Sequence, residues 1–139
     1  MILEEVFTVH VKPEEPVTLS NDHGDTVVMI PFTGDVTGKY FEGRVLPGGL
    51  DTQIIGKHGD SHTLSARYML EGKDYLGESC RIFIENNGNM YNSTKDILFR
   101  TYPRIVTNSK TLEFMSKDIL IGEGIPTENG LDIKIYRVV

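Results

Sequence analysis

Apolar and polar residues alternate along much of the chain with a period of two. Phe7, Val9 and Val11 alternate with polar neighbours, and residues 131–135 repeat the pattern near the C-terminus. This alternation is typical of a β-strand that has one face in a core and one face in water. No segment shows a sustained helical period, so we expect a protein built from strands.

Nine segments carry strand-like patterns, and glycine, asparagine and proline separate them. Many short strands with regular turn signals predict an all-β fold, which we interpret as one antiparallel β-barrel of lipocalin-like type over residues 1–139, with about eight to ten strands. Pairing of the first and last strands would close this barrel and remove two open edges. At most one short helix is expected, at 93–97, where a serine or threonine could cap it. The predicted strands are 7–11, 26–32, 40–46, 50–55, 63–70, 76–85, 97–106, 112–122 and 131–139.

Composition restricts the classes of partner. The formal net charge of the 139 residues is −6, which argues against nucleic acids and anionic membranes because both are bound by basic surfaces. No apolar run reaches the roughly 20 residues that a membrane-spanning helix needs, and the N-terminus does not resemble a signal peptide. A single cysteine, Cys80, cannot form an internal disulfide and favours a reducing compartment, so we expect a cytoplasmic protein.

The run from Phe99 to Arg104 is the most informative candidate for a site. In a strand, Arg100, Tyr102 and Arg104 share one face, where two guanidinium groups and a phenol form a set of hydrogen-bond donors. Arginine geometry suits a carboxylate, phosphate or enolate. If this face lines the barrel, it forms a site for a polar or anionic ligand, and if it faces outward, it is a solvated surface.

Other strands offer carboxylates and further donors. Asp51 and Gln53 share one strand face, Arg67 lies opposite an apolar face, and Glu85 shares a face with Arg81. An inward Asp51 or Glu85 would be a candidate general base with a raised pKa. The alternative is that these carboxylates form salt bridges with the arginines.

No metal or cofactor motif is recognised. His58 and His62 bracket a turn, but no third ligand stands near them and zinc needs three or four. The chain also lacks a nucleophile elbow, a phosphate loop and a dinucleotide fingerprint. We therefore expect these histidines to lie in a solvated loop and expect no cofactor.

Several segments together resemble the DUF3237 family, also known as UPF0311, over nearly the whole chain. The resemblance implies a β-barrel of unassigned function and a site-lining Arg100, but it supplies no reaction. The chain departs from the family pattern at Thr52, where tryptophan is usual, and at Ser65 and Val106, where acidic residues are common. The matching segments are Thr33 to Gly38, Gly43 to Gln53, Ala66 to Tyr68, Asn86 to Gly88, Phe99 to Arg104 and Gly122 to Val138.

Two functions remain open at this point. In the first, the barrel interior binds a small polar or anionic organic molecule, either for binding alone or as an isomerase or cyclase. Arg100, Arg67 and Tyr102 would then hold an oxyanion while Asp51 or Glu85 moves a proton. In the second, the protein is non-catalytic, either an oligomeric structural barrel or a partner-binding module, and Arg100 and Glu85 form buried ion pairs.

Overall fold

A computed structural model describes residues 1–59, 61–90 and 94–139. Within these residues the protein has ten strands and one short helix. The elements are β1 (Leu3–Pro13), β2 (Val17–Ser20), β3 (Thr26–Thr37), β4 (Phe41–Val45), β5 (Leu50–Ile55), β6 (His62–Asp74), β7 (Ser79–Asn89), β8 (Phe99–Thr107), α1 (Phe114–Lys117), β9 (Leu120–Thr127) and β10 (Gly130–Val138).

The strands close into an antiparallel barrel with eight positions around its ring. Going round the ring, β1 pairs with β10, and then β9, β8, β7 and β6 follow in order. Two short strands, β4 and β5, share the next position, since each pairs with β3 on one side and β6 on the other. The long strand β3 then pairs with β1 and completes the ring. The predicted all-β barrel and the pairing of the first and last strands are confirmed.

Period-two alternation decides which side chains fill the barrel. In β6, Leu64, Ala66, Tyr68 and Leu70 are buried, and the residues between them point outward. Small residues make room where the interior is crowded: a Cβ atom on Gly124 would lie 2.4 Å from the Phe99 ring on the neighbouring strand. Glycine at this position therefore lets the phenyl ring turn inward.

The helix lies elsewhere than predicted. Residues 94–97 form no helix, and Ser93 lies outside the described residues. The predicted strand 112–122 is wrong in its first half, because α1 occupies 114–117 and β9 starts only at Leu120. Leu112 and Met115 are both buried, and the Met115 amide donates to the Leu112 carbonyl at 3.0 Å. This spacing of three is helical, although the run is too short to show a period in the sequence.

Two further boundaries differ from the prediction. The Asn86-Asn87-Gly88-Asn89 run has the residues of a turn and follows the predicted strand 76–85, but it lies in β7 and pairs with β6 and β8. Strand β2 was not predicted, because Pro13 and Pro16 indicate the end of a strand. The chain instead becomes extended again after Pro16, and β2 pairs with residues 26–29 at the start of β3.

The two ends of the barrel differ in packing. At the end beside α1, large apolar side chains fill the interior, among them Phe7, Phe41, Leu112 and Met115, which are each almost fully buried. At this end the Asp74 carboxylate accepts hydrogen bonds from two backbone amides and from the Ser109 hydroxyl, and together these hold its pKa below the usual range although burial opposes them. The opposite end is only partly filled and contains a cavity. The described part of the chain contains no helix with the length and apolar character needed to span a bilayer.

Candidate functional site

A cavity of about 250 Å³ opens at the end of the barrel opposite α1. Apolar side chains from five strands form most of its wall. They include Ile30 and Phe32 of β3, Leu64 of β6, Phe99 of β8 and Ile133 of β10. Cavities that combine apolar walls with a few polar groups are the usual form of small-molecule sites.

Three polar side chains with unsatisfied hydrogen-bonding atoms line this cavity. The Asp51 Oδ1 atom, the Tyr68 hydroxyl and both polar atoms of the Asn86 amide are buried, and no described residue hydrogen-bonds to them. Tyr68 is 3% exposed and Asn86 is 0% exposed. Leaving a buried polar group unpaired costs about 1–3 kcal/mol, so four such atoms around one cavity make it the candidate binding site among the described residues.

Strand register brings these groups together. Asp51 of β5 lies opposite Ala66 of β6, two residues before Tyr68, while Asn86 of β7 lies opposite Ala66 on the other side. Antiparallel partners point to the same face of a sheet. Three neighbouring strands therefore present a carboxylate, a phenol and an amide around one small residue, Ala66.

A second set of hydrogen bonds runs from Asp51 towards the opening. The Gln53 amide nitrogen donates to the Asp51 Oδ2 atom at 2.8 Å, and the Gln53 Oε1 atom lies 2.8 Å from the His62 Nε2 atom. All three residues are partly buried. One carboxylate oxygen of Asp51, Oδ2, is thus hydrogen-bonded to Gln53, and the other, Oδ1, is buried and has no partner among the described residues.

The electrostatics of the cavity favour protonated groups. Burial raises the pKa of the Asp51 carboxyl above its usual value, and the Gln53 hydrogen bond and the nearby His62 offset part of this rise. Burial and the adjacent Asp51 carboxylate also raise the pKa of Tyr68. The Tyr68 hydroxyl therefore stays protonated and can donate a hydrogen bond over the whole physiological pH range.

The described lining contains no lysine or arginine, so this part of the cavity offers no permanently charged cation to bind an anion. In residues 1–59, 61–90 and 94–139, no three His, Cys, Asp or Glu side chains are grouped so as to hold a metal ion. What the site offers is a carboxyl group, hydrogen-bond donors and apolar contact area.

A wider groove of about 710 Å³ lies on the outer surface beside β1, β3 and β4. Its charged side chains, Lys12, Glu14, Asp35 and Arg44, are all exposed. No unpartnered buried polar atom lines it, so in the described residues the interior cavity is the stronger candidate.

Five of the seven residues predicted for an interior site lie on the outer face of the barrel. Arg67 has a side chain that is 67% exposed and lies 3.2 Å from Glu85. Arg100 lies 3.2 Å from Glu123, Tyr102 is 68% exposed, and Arg104 is exposed opposite Glu85 in the register.

The predicted convergence of Arg100, Arg67 and Tyr102 inside the barrel is therefore not formed. Alternation separates the two faces of a strand but does not say which face is inside. Here the apolar residues that alternate with these side chains fill the inner face. Ligand binding by these outward residues, with Glu85 and Arg104, stays a prediction. Asp51 and Gln53 do line the cavity, as the hypothesis of an inward general base required.

Three residues of the site were missed in the sequence. Tyr68 was grouped with the apolar face of its strand, Asn86 was assigned to a turn, and His62 to a solvated loop. A usable signal existed for Asn86, since Cys80, Ile82 and Ile84 precede it at spacing two and place it on the same face. No local pattern relates His62 to Gln53, because the contact depends on the pairing of β5 with β6.

Comparison with known proteins identifies relatives over the whole length. The model of the family described as "Protein of unknown function (DUF3237)" matches residues 1–138. A UPF0311 protein of Clostridium acetobutylicum is 29% identical over 154 residues, which cover 99% of this chain and 94% of that protein.

Solved structures give the same result for the fold. The crystal structure of a protein with unknown function from Clostridium acetobutylicum superposes with a TM-score of 0.82 at 29% identity and covers 100% of this chain and 97% of that one. The crystal structure of an enzyme from Penicillium herquei has a TM-score of 0.76 at 14% identity and covers 99% of this chain and 94% of the other. At that identity the likeness shows a shared fold alone.

Proposed function

The chain belongs to the DUF3237 family of proteins of unknown function, and we propose that its barrel interior binds a small, uncharged organic molecule and that Asp51 exchanges a proton with it. The observation that carries this proposal is the set of unpartnered buried atoms on Asp51, Tyr68 and Asn86 around one apolar cavity. An enzyme among the proteins of similar fold is compatible with it.

Charge favours an uncharged ligand over the anion considered from the sequence. The described lining holds one carboxyl group and no cationic side chain, so an anion would be desolvated beside Asp51 without a compensating charge. A carbonyl or hydroxyl oxygen is instead matched by the Tyr68 hydroxyl and the Asn86 amide, which both have hydrogen-bond donors to offer.

Proton transfer is the chemistry that this set supports best. The Asp51 carboxylate removes a proton from a carbon next to a carbonyl group, and the electron pair moves to the carbonyl oxygen, where Tyr68 donates a hydrogen bond. Return of the proton from Asp51 to another atom of the ligand completes an isomerisation and regenerates the carboxylate. A raised pKa suits this role because it brings the carboxyl group nearer to neutral pH.

A thermal-shift screen tests ligand binding. The panel consists of cyclic hydroxy ketones, each matched with a carboxylic acid of the same ring size. We expect ketones to raise the unfolding temperature of the unaltered protein and of Arg67→Ala, and to lose this effect in Asp51→Asn. Preferential binding of the acids, or loss of binding in Arg67→Ala, would contradict the proposed site.

Proton transfer is tested on the ketones that bind. In D₂O, the protein should exchange the hydrogens next to the ketone carbonyl, as followed by loss of their proton NMR signals. Asp51→Asn should slow this exchange by a factor of about 10²–10⁴, the usual contribution of a general base. Equal exchange rates in the variant and the unaltered protein would show that Asp51 is not the base.

Self-association is a second candidate function, and the surface around β2 favours it. Within the described residues β2 pairs only with β3, so its other edge keeps free backbone groups that can pair with another strand. Exposed apolar side chains lie on the same outer face, among them Val17, Leu19, Met29 and Ile54. Sedimentation over a wide range of concentrations tests this, and a monomer throughout would exclude it.

A further inference from the structure

The hydrogen-bond chain from Asp51 to His62 has a fixed direction. An ionised carboxylate only accepts hydrogen bonds, so the Gln53 side chain must turn its amide nitrogen to the Asp51 Oδ2 atom, as found at 2.8 Å. Its carbonyl oxygen then faces the His62 Nε2 atom at 2.8 Å. Because that oxygen only accepts, the His62 Nε2 atom must carry the proton.

We propose that His62 and Gln53 are positioning residues for Asp51: His62 holds the Gln53 amide in the orientation that donates to Asp51 Oδ2, so that Oδ1 is left for the ligand. This inference rests on the proposed function, since it assigns the support of the same carboxyl group. Neither residue touches the reacting atoms in this scheme. His62 acts through Gln53, and Gln53 acts through Asp51.

Removal of His62 has a defined consequence. A glutamine amide can rotate by half a turn about its last bond, and the two orientations have similar shape. Without a donor on the His62 side, the amide can present its carbonyl oxygen to Asp51, which then keeps a proton to make the hydrogen bond. The protonated carboxylic acid is a poor base, so the site would lose the species that removes a proton.

Few other groups near Asp51 can set the protonation state of its carboxyl group. Strand β3 contributes Ile30 and Phe32 to the cavity, β10 contributes Leu131 and Ile133, and β1 contributes Val11. Strand β7 contributes the uncharged Asn86 amide. The titratable groups that act on Asp51 in the described structure are Tyr68 and His62, both of β6.

Carboxyl-carbon NMR of the protein without any ligand tests the proposal. We expect His62→Phe to raise the pKa of Asp51 by about one unit, the scale of one hydrogen bond to a charged group. His62→Gln keeps an amide donor and should restore most of the original value. The matched control is His58→Phe, at an exposed turn position, which should leave Asp51 unchanged. An unaltered Asp51 pKa in His62→Phe would overturn the proposal.

A measurement on the unaltered protein covers the case in which His62→Phe does not fold. Nitrogen NMR of the neutral His62 ring should show the proton on Nε2, and a ring protonated only on Nδ1 would overturn the assignment. Neither measurement uses a ligand. Failure of the ketone screen with a normal His62 result therefore refutes the proposed function alone, and the opposite pattern refutes this inference alone.

Discussion

Asp51 is an acidic side chain that lies in a largely apolar cavity, and this placement links its protonation to folding. Burial raises the pKa of its carboxyl group in the folded protein. Between its ordinary pKa and this raised value, the folded state binds more protons than the unfolded state. The contribution of Asp51 to the free energy of unfolding therefore falls as the pH rises through that window, and it is least favourable above the folded pKa.

Asp51→Asn removes this dependence. We expect the free energy of unfolding of the variant, minus that of the unaltered protein, to increase as the pH rises from about 4 to 7. Urea unfolding at a series of pH values measures it. Asp96→Asn is the control at an exposed position, with an expected change within about 0.5 kcal/mol. A difference for Asp51→Asn that stays constant with pH would contradict the raised pKa.

The segment around α1 shows how a short element closes one end of the barrel. Leu112, just before the helix, is 0% exposed, and Met115 within it is also buried. Phe114 packs against Tyr40 with ring centroids 5.1 Å apart, and the Arg137 guanidinium lies over the Phe114 ring. A helix of four residues is not stable alone, so these contacts with the barrel hold it in place.

Leu112→Ala tests this closure. We expect a loss of about 3 kcal/mol in the free energy of unfolding, because a fully buried leucine leaves a cavity when truncated. Glu113→Ala changes the adjacent, exposed residue and should cost no more than about 0.5 kcal/mol. Chemical denaturation compares the two variants, and equal stabilities would show that the segment does not plug the barrel.

At the scale of the whole molecule, the barrel is solid at one end and hollow at the other. A barrel filled throughout with side chains would favour the structural alternative considered from the sequence. The cavity of about 250 Å³ counts against complete filling, although the arginines expected inside are on the outer face. Space in the interior is therefore the property that distinguishes a binding barrel from a structural one.

Ala66→Met measures that space directly, since Ala66 lies at the centre of the polar groups. In a packed core, a larger side chain costs about 1–3 kcal/mol. We expect less than about 1 kcal/mol here, because the longer side chain can extend into the cavity, and we expect the ketones to stop binding. Ser65→Met places the same side chain on the outer face and should retain binding. A large loss of stability in Ala66→Met would indicate that the cavity is closed in solution.

Much of the fold could be predicted from local patterns. Strand β5 was predicted with its observed bounds, and the face shared by Asp51 and Gln53 was correct, because alternation is a property of each strand separately. The errors at Asn86 and at 112–122 have a different origin. An asparagine-rich run has strong turn propensity, but the neighbouring strands on both sides keep it extended.

The sequence by itself determined that this chain forms strands with two distinct faces, and its resemblance to DUF3237 indicated a barrel. Only the tertiary structure decided which face of each strand is inside. Alternation is symmetric, so Arg100 with Arg104 on one face and Phe99 with Ile105 on the other are told apart only when the sheet closes around the more apolar set. The same closure placed Asp51, Tyr68 and Asn86 around one cavity, because contacts between strands depend on register and not on local sequence.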